Sequence, residues 1–309
     1  MEPTEGMKMD WIAGIQQALE YIERHLTEEV DYDDVARVAF SSRYHFQRVF
    51  SILCGYTLGE YIRNRRLTLA GEELAAQKIR VIDAAVKYGY DSPDSFAKAF
   101  QKFHGIYPSQ ARLPGARLRS FTPLSVKLSL EGGCMLNYRI EEKPRTILLG
   151  YTRHFESAPG EWFEQEEALF IHTRANQYLL MGLAEDPLTN YGVIHHVSDD
   201  GYDFSIATRI PDVLRSRIRE DCVLGEEEAD RFHEIEIPAH SYAVFETERA
   251  QYPTLCHMDL RKKAVSEWLP TSPYFLADAP EVSVYHWYRK PHQGERYIEI
   301  WLPIERRPQ

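Results

Sequence analysis

Ser42-Arg-Tyr-His-Phe-Gln-Arg-Val-Phe50 and Ser92-Pro-Asp-Ser-Phe-Ala-Lys-Ala-Phe-Gln-Lys102 decide the fold of the first third of this 309-residue chain. Each stretch opens on a serine able to cap a helix and then repeats apolar residues at helical spacing. Each follows a shorter helical segment, Asp33-Asp-Val-Ala-Arg-Val-Ala39 and Ile82-Asp-Ala-Ala-Val-Lys-Tyr88. Pro93 suits a first helical turn. Gly55 closes the first long stretch, and Gly89 ends the second short one, as glycines do past a helix end. Short helix, tight turn, second helix therefore occurs twice, about fifty residues apart, which is an internal repeat.

An amphipathic helix precedes the repeat, with Ile12, Ile15, Leu19, Ile22 and Leu26 on one face. A longer helix from Thr57 to Ala76 joins the two copies and carries Arg63-Asn-Arg-Arg66. In the first copy His45, Phe46, Val49 and Phe50 suit the core, which leaves Arg43, Tyr44, Gln47 and Arg48 outward. In the second, Phe96, Ala99, Phe100 and Phe103 face inward, with Asp94, Ser95 and Lys98 outward. The outward residues suit base edges: Arg and Lys pair with guanine, Gln with adenine, and Tyr packs on a thymine methyl. Two such heads on one chain are expected to enter successive major-groove faces about 34 Å apart.

Net charge supports a divided chain. Residues 40–112 hold eleven Lys/Arg against six Asp/Glu, a balance of +5, so the remainder carries −16 of the total −11. One part is expected to meet an anion and the other not. Apolar residues make up 44% and charged residues 27%, which suits a globular chain. No apolar run reaches the roughly 20 residues of a membrane helix. No signal peptide is read at the start, and four scattered cysteines point to a reduced cytosol.

From Leu113 to Leu136 prolines and glycines mark a linker. Beyond it strands are expected at 136–141, 146–153, 193–197, 204–208, 234–237, 241–246, 282–287 and 297–302, with helices at 161–181 and 253–268. The order β-β-α-β-β thus appears twice. The expected fold is multidomain: an N-terminal all-α double helix-turn-helix over 8–113, a linker over 114–134, and a C-terminal α+β duplicated domain over 135–306.

The segment from about 11 to 113 resembles the DNA-binding domain of AraC/XylS-family regulators. The resemblance rests on Phe46–Phe50, Gly55-Tyr-Thr-Leu-Gly-Glu-Tyr-Ile-Arg-Asn-Arg-Arg-Leu67, Ile82–Tyr90, Ser92–Phe100 and Phe103-His-Gly-Ile-Tyr-Pro108. It implies base contacts at Arg43, Tyr44, Gln47 and Arg48, and at Pro93, Asp94, Ser95 and Lys98. Residues 135–306 resemble the GyrI-like effector-binding domain, through Tyr191-Gly192, Ile235–Phe245, Glu267-Trp-Leu-Pro270 and Ile298–Ile304. The combination is that of Rob-type regulators. It implies an operator in double-stranded DNA, a small-molecule effector and RNA polymerase as partners, in the cytoplasm, with no cofactor.

In such domains an aromatic groove with a buried Glu suits lipophilic cations. Here the groove is expected to draw on Trp162, Tyr191, Tyr242, Trp268, Tyr285 and Trp301, with Glu246 as a carboxylate. Ser283 stands where the resemblance places the Glu, and Glu281, two residues earlier, shares its parity in the strand. Catalytic and metal sites are not expected. His195 and His196 are strand neighbours that should point to opposite faces. The alternatives are a hydrolase, or a protein-interaction module with no small ligand.

Overall fold

The computed structural model describes residues 11–125, 136–156, 162–198, 201–214 and 232–306. It divides into two units, residues 1–47 with 58–130 and residues 48–57 with 131–309.

The first unit is helical: α1 Trp11–Arg24, α2 Tyr32–Val38, α3 Arg43–Cys54, α4 Leu58–Ala75, α5 Val81–Lys87 and α6 Pro93–His104. From Arg48 onward α3 belongs to the second unit. The expected caps form. Ser42 Oγ accepts from His45 N at 3.3 Å, and Ser92 Oγ accepts from Ser95 N at 3.1 Å. The two turns take the same left-handed step, at Phe40 (φ 52°) and Gly89 (φ 77°). After each step a backbone N–H returns to the preceding helix, Ser41 to Ala36 and Tyr90 to Ala85, both at 2.9 Å. Only the second turn uses a glycine, which takes this φ without a Cβ penalty.

Leu67, Ala70, Leu74, Ala84, Ala85, Tyr88, Phe96 and Phe100 form the core around α4, α5 and α6. A Cβ on Gly71 would meet the His104 ring at 2.8 Å, so the glycine lets α6 close on α4. His104 Nε2 reaches Leu67 O at 3.0 Å. The stretch after residue 113 is not a free linker as far as it is described. Phe121 N donates to Thr68 Oγ1 at 2.9 Å, Leu124 N to Tyr61 Oη at 3.1 Å and Arg119 N to His104 Nδ1 at 3.1 Å. Polar side chains on α4 and α6 thus satisfy backbone N–H groups of an irregular segment. Residues 126–134 of the expected linker lie outside the described residues.

The second unit is an antiparallel sheet: β1 Tyr138–Lys143, β2 Thr146–Phe155, β3 Thr189–Ser198, β4 Gly201–Thr208, β5 His233–Ile237, β6 His240–Glu246, β7 Tyr274–Leu276, β8 Glu281–His286 and β9 Tyr297–Arg306. Helices α7 Trp162–His172, α8 Arg174–Leu183 and α9 Thr254–Lys263 interrupt it. The strand order is β1-β6-β9-β8-β3-β4-β2-β5, with β7 paired to β9. The duplication shows in the exchange: β1 pairs with β6 and β2 with β5, so each half lends a strand to the other.

Alternation sorts the core into two faces. Leu149, Tyr151, Ile194, Phe204 and Ile206 pack with Leu169 and Leu180 of α7 and α8. On the opposite face Leu148, Val193, Ala207, Ile237, Tyr242, Val244, Val282 and Val284 meet one another. The single helix expected over 161–181 is two. Thr173 separates them, its Oγ1 accepting from Tyr151 Oη and donating to Leu169 O. The helix expected over 253–268 is α9 followed by a wider π turn at Ala264–Trp268.

Candidate nucleic-acid interface and effector site

On α6 the four expected contact residues, Pro93, Asp94, Ser95 and Lys98, are exposed on the first turns, clear of the buried Phe96 and Phe100. On α3 the four divide. Arg43 is exposed and Tyr44 half-buried. The expectation that Gln47 and Arg48 are exposed is corrected: they are 9% and 2% exposed. The basic run of α4 is also largely structural. Arg65 grips Glu23 through Nε and Nη2, both at 2.9 Å, and Phe121 O through Nη1 at 2.6 Å. Arg66 donates to Leu26 O and Glu28 O. The positive balance of this stretch therefore overstates the charge available to an anion.

Arg48 ends in the second unit, where Nη2 meets Glu281 Oε2 at 2.5 Å. Arg261 of α9 takes the same carboxylate from the other side, Nη2 to Oε2 at 3.0 Å and Nε to Oε1. Glu281 is 1% exposed, and both guanidinium groups are nearly as buried. Burial alone would raise this carboxyl, but Arg261 and Arg48 hold it down at about 2. Glu166 on α7 is the contrast. Burial raises it to about 7, against the pull of Arg261 and a 3.1 Å hydrogen bond from Tyr202 Oη. Beside them His257 Nε2 lies 2.9 Å from Ser283 Oγ, and burial with the nearby Arg261 lowers this imidazole to about 4.

The expected groove residues do not share one site. Ser283 and Tyr285 lie on the helix-covered face, where the Tyr285 ring meets Phe170 of α7 at 5.4 Å. Trp268 packs near that side too, its ring against Phe245 and Tyr274. Tyr191, Tyr242 and Trp301 lie on the opposite face, where Trp301 meets the other two rings at 6.4 and 6.0 Å. There Glu246 and Glu299, directly opposed on β6 and β9, share Arg139. Glu299 also accepts from Trp301 Nε1 at 2.7 Å, and Lys143 stands 4.1 Å over the Trp301 ring. Each carboxylate is thus matched by a cation within the unit. The side chain of Trp162 lies outside the described residues. Sequence reasoning missed Glu166, His257, Arg261 and Arg139. Only Arg139, alternating with Glu141 on a short strand, left a local signal.

Among the described residues no helix is long and apolar enough to cross a membrane. A helix-turn-helix domain family matches residues 35–113, and the family of integron-associated effector binding proteins matches residues 139–304. The HTH-type transcriptional activator AarP of Providencia stuartii is 46% identical over 99 residues, 32% of this chain and 73% of that protein. The regulatory protein SoxS of Salmonella typhimurium is 37% identical over 98 residues, 32% of this chain and 92% of that protein. The right origin-binding protein of Escherichia coli is 36% identical over 104 residues, 34% of this chain and 36% of that protein. A crystal structure of an integron cassette protein from Vibrio cholerae covers 54% of this chain and 95% of its own, at 15% identity and a TM-score of 0.36. The chain belongs to the AraC-type helix-turn-helix transcriptional regulators and carries, over more than half its length, a domain of the integron-associated effector binding (GyrI-like) family.

Proposed function

We propose that this regulator reads its operator through the first turns of α3 and α6, and that a small aromatic or amphipathic molecule bound in the second unit alters that reading. One observation carries the first half: Arg43 and Pro93, Asp94, Ser95 and Lys98 stand exposed at the start of the second helix of each motif, with Tyr44 half-buried beside Arg43. That is where a helix-turn-helix reaches base edges. Gln47 and Arg48 contribute only if they leave their buried positions. The similarity to AarP, a transcriptional activator, supports RNA polymerase as a further partner, and a DNA-reading role supports a cytoplasmic location.

For the effector, the charge of Glu281 is already answered by Arg48 and Arg261. This supports a neutral or weakly charged ligand, since a cation must displace a buried guanidinium to reach the carboxylate. A hydrolase reading would rest on the Ser283–His257 contact. An imidazole held near 4 is a weak base at neutral pH, and both residues are buried, so the pair is read as structural.

The test is fluorescence anisotropy of the full chain on a duplex selected from random sequence. Arg43→Ala and Lys98→Ala should each weaken binding about tenfold or more, as loss of a good base or phosphate contact does. Arg48→Met should stay within about threefold of the parent when no effector is present. Undiminished binding by both Arg43→Ala and Lys98→Ala, with Arg48→Met abolishing it, would overturn the assignment.

A further inference from the structure

We infer that His195, His196 and Asp203 form a binding site for a divalent first-row transition metal, zinc being the best fit, on the β2-β4-β3 part of the sheet. Sheet register sets His154, Asp203 and His195 side by side: His154 pairs with Asp203 across β2 and β4, and Asp203 with His195 across β4 and β3. Plain alternation would turn His196 to the far face. It does not, because the register of β3 shifts between His195 and Ser198 and His196 adopts φ 49°, a left-handed backbone that costs an L-residue energy. A strained bulge that re-aims one side chain is a recurrent feature near functional sites.

The strain brings three ligand atoms together, all within 4.8 Å of one another. His195 Nδ1 lies 3.2 Å from His196 Nδ1, which lies 2.8 Å from Asp203 Oδ2. Two nitrogens on one tetrahedral zinc, at about 2.0–2.1 Å from the metal, sit roughly 3.3 Å apart. Without a metal, His196 Nδ1 has one proton at most to share between a carboxylate and a second imidazole nitrogen.

The atoms that would not ligate are also held. His195 Nε2 lies 2.7 Å from Ser205 Oγ, which lies 2.6 Å from Thr152 Oγ1, and Thr152 Oγ1 lies 2.7 Å from His233 Nε2. Asp203 Oδ1 is bound by His154 Nδ1 at 2.8 Å. Fixing the outer atoms of ligating groups in this way orients a metal site. The His196 side chain is 76% exposed, which leaves the site open to solvent for entry and for a fourth, water ligand. Two imidazoles and one carboxylate suit zinc, copper or nickel and not magnesium or calcium.

The test uses the full chain stripped with chelator, titrated with zinc sulfate by calorimetry and with cobalt chloride by visible absorption. One equivalent should bind with micromolar affinity or better, and cobalt should give tetrahedral d–d bands without thiolate charge transfer. His196→Ala and Asp203→Asn should each weaken binding at least tenfold. His196 is exposed and Asp203 partly buried, and circular dichroism checks that the variants are folded. Absence of saturable zinc binding below about 100 μM, binding equal in the variants, or a cobalt spectrum with thiolate bands would each overturn the site.

Discussion

Replacing Glu281 by Gln tests the buried charge cluster most sharply. The carboxylate is the shared acceptor for two guanidinium groups, at 2.5 Å from Arg48 and 3.0 Å from Arg261 at its Oε2. Gln keeps the volume and one carbonyl oxygen, but its amide turns two donors toward groups that have only donors. Two nearly fully buried cations then lack their anion. Removing one partner of a buried pair costs about 3–5 kcal/mol. For a unit of this size about 1 kcal/mol shifts the melting temperature by roughly 2–4 °C. Glu281→Gln should therefore melt about 6–20 °C below the parent, followed by near-ultraviolet circular dichroism at pH 7. Arg48→Met alone leaves Glu281 with Arg261 and should cost less. The double variant should recover part of the loss, with a coupling of about 1–3 kcal/mol.

The pH dependence has a definite sign. The folded carboxyl sits at about 2, below the ordinary 4.5, so its contribution is complete above 4.5 and lost as pH falls toward 2. The gap between parent and Glu281→Gln should be flat from pH 5 to 8 and shrink below pH 4. A melting temperature within about 2 °C of the parent at pH 7, or a gap as large at pH 3 as at pH 7, would refute the reasoning.

Substitutions at two further positions, Glu166 and Phe40, have equally definite outcomes. Glu166, raised to about 7 from 4.5, binds its proton more tightly when folded, so its contribution is present below 4.5 and lost as pH rises through 7. Glu166→Gln should therefore gain on the parent by about a few kcal/mol in the unfolding free energy from urea titrations between pH 5 and 9, and a pH-independent difference would sink this assignment. Phe40 holds φ 52° and is 61% exposed, so Phe40→Gly should raise the stability of the first unit by up to about 1 kcal/mol, while β-branched Phe40→Val should lower it. Equal melting of the two variants would contradict the strain.

The helical repeat was legible because its signals are local. Ser42 and Ser92 cap the helices they open, and Phe96 and Phe100 keep the period that buries them. The strands were legible from their composition, and the two-fold order of elements from its repetition. The fate of Arg48 was not, because its partner lies 233 residues away and no local pattern encodes that pairing. By helical period alone, positions 47 and 48 lie away from the residues that suit the core and read as solvent-facing. The groove failed for a different reason. Tyr191, Tyr242 and Trp301 fall on one face of the sheet, and Ser283 and Tyr285 on the other. Alternation within each strand was readable, but which face of one strand continues that of another depends on register. The pairing of His195 with His196 was hidden by a single left-handed residue that breaks alternation.

Pairing with Glu281 and a base contact through Arg48 would exclude each other. A guanidinium bound to a carboxylate at 1% exposure cannot also lie on a guanine edge. If release costs the roughly 3–5 kcal/mol typical of opening a buried pair, the released form is populated below about one per cent. A base contact through Arg48 would carry that penalty in its affinity, since a rarely populated binding form lowers apparent affinity by its fraction. A ligand changes the balance only by binding one arrangement better than the other. One that merely fills space on the helix-covered face, with Glu281 and Arg48 still paired, leaves the reading helix as it was. One that takes the Glu281 carboxylate would loosen the hold on Arg48, and must supply about four orders of magnitude of preference to carry the population from 1:99 to 99:1. Under the proposed function a weak cation bound at this carboxylate would therefore be a poor effector, and the size of any response would track the ability of a ligand to replace a guanidinium rather than its affinity alone.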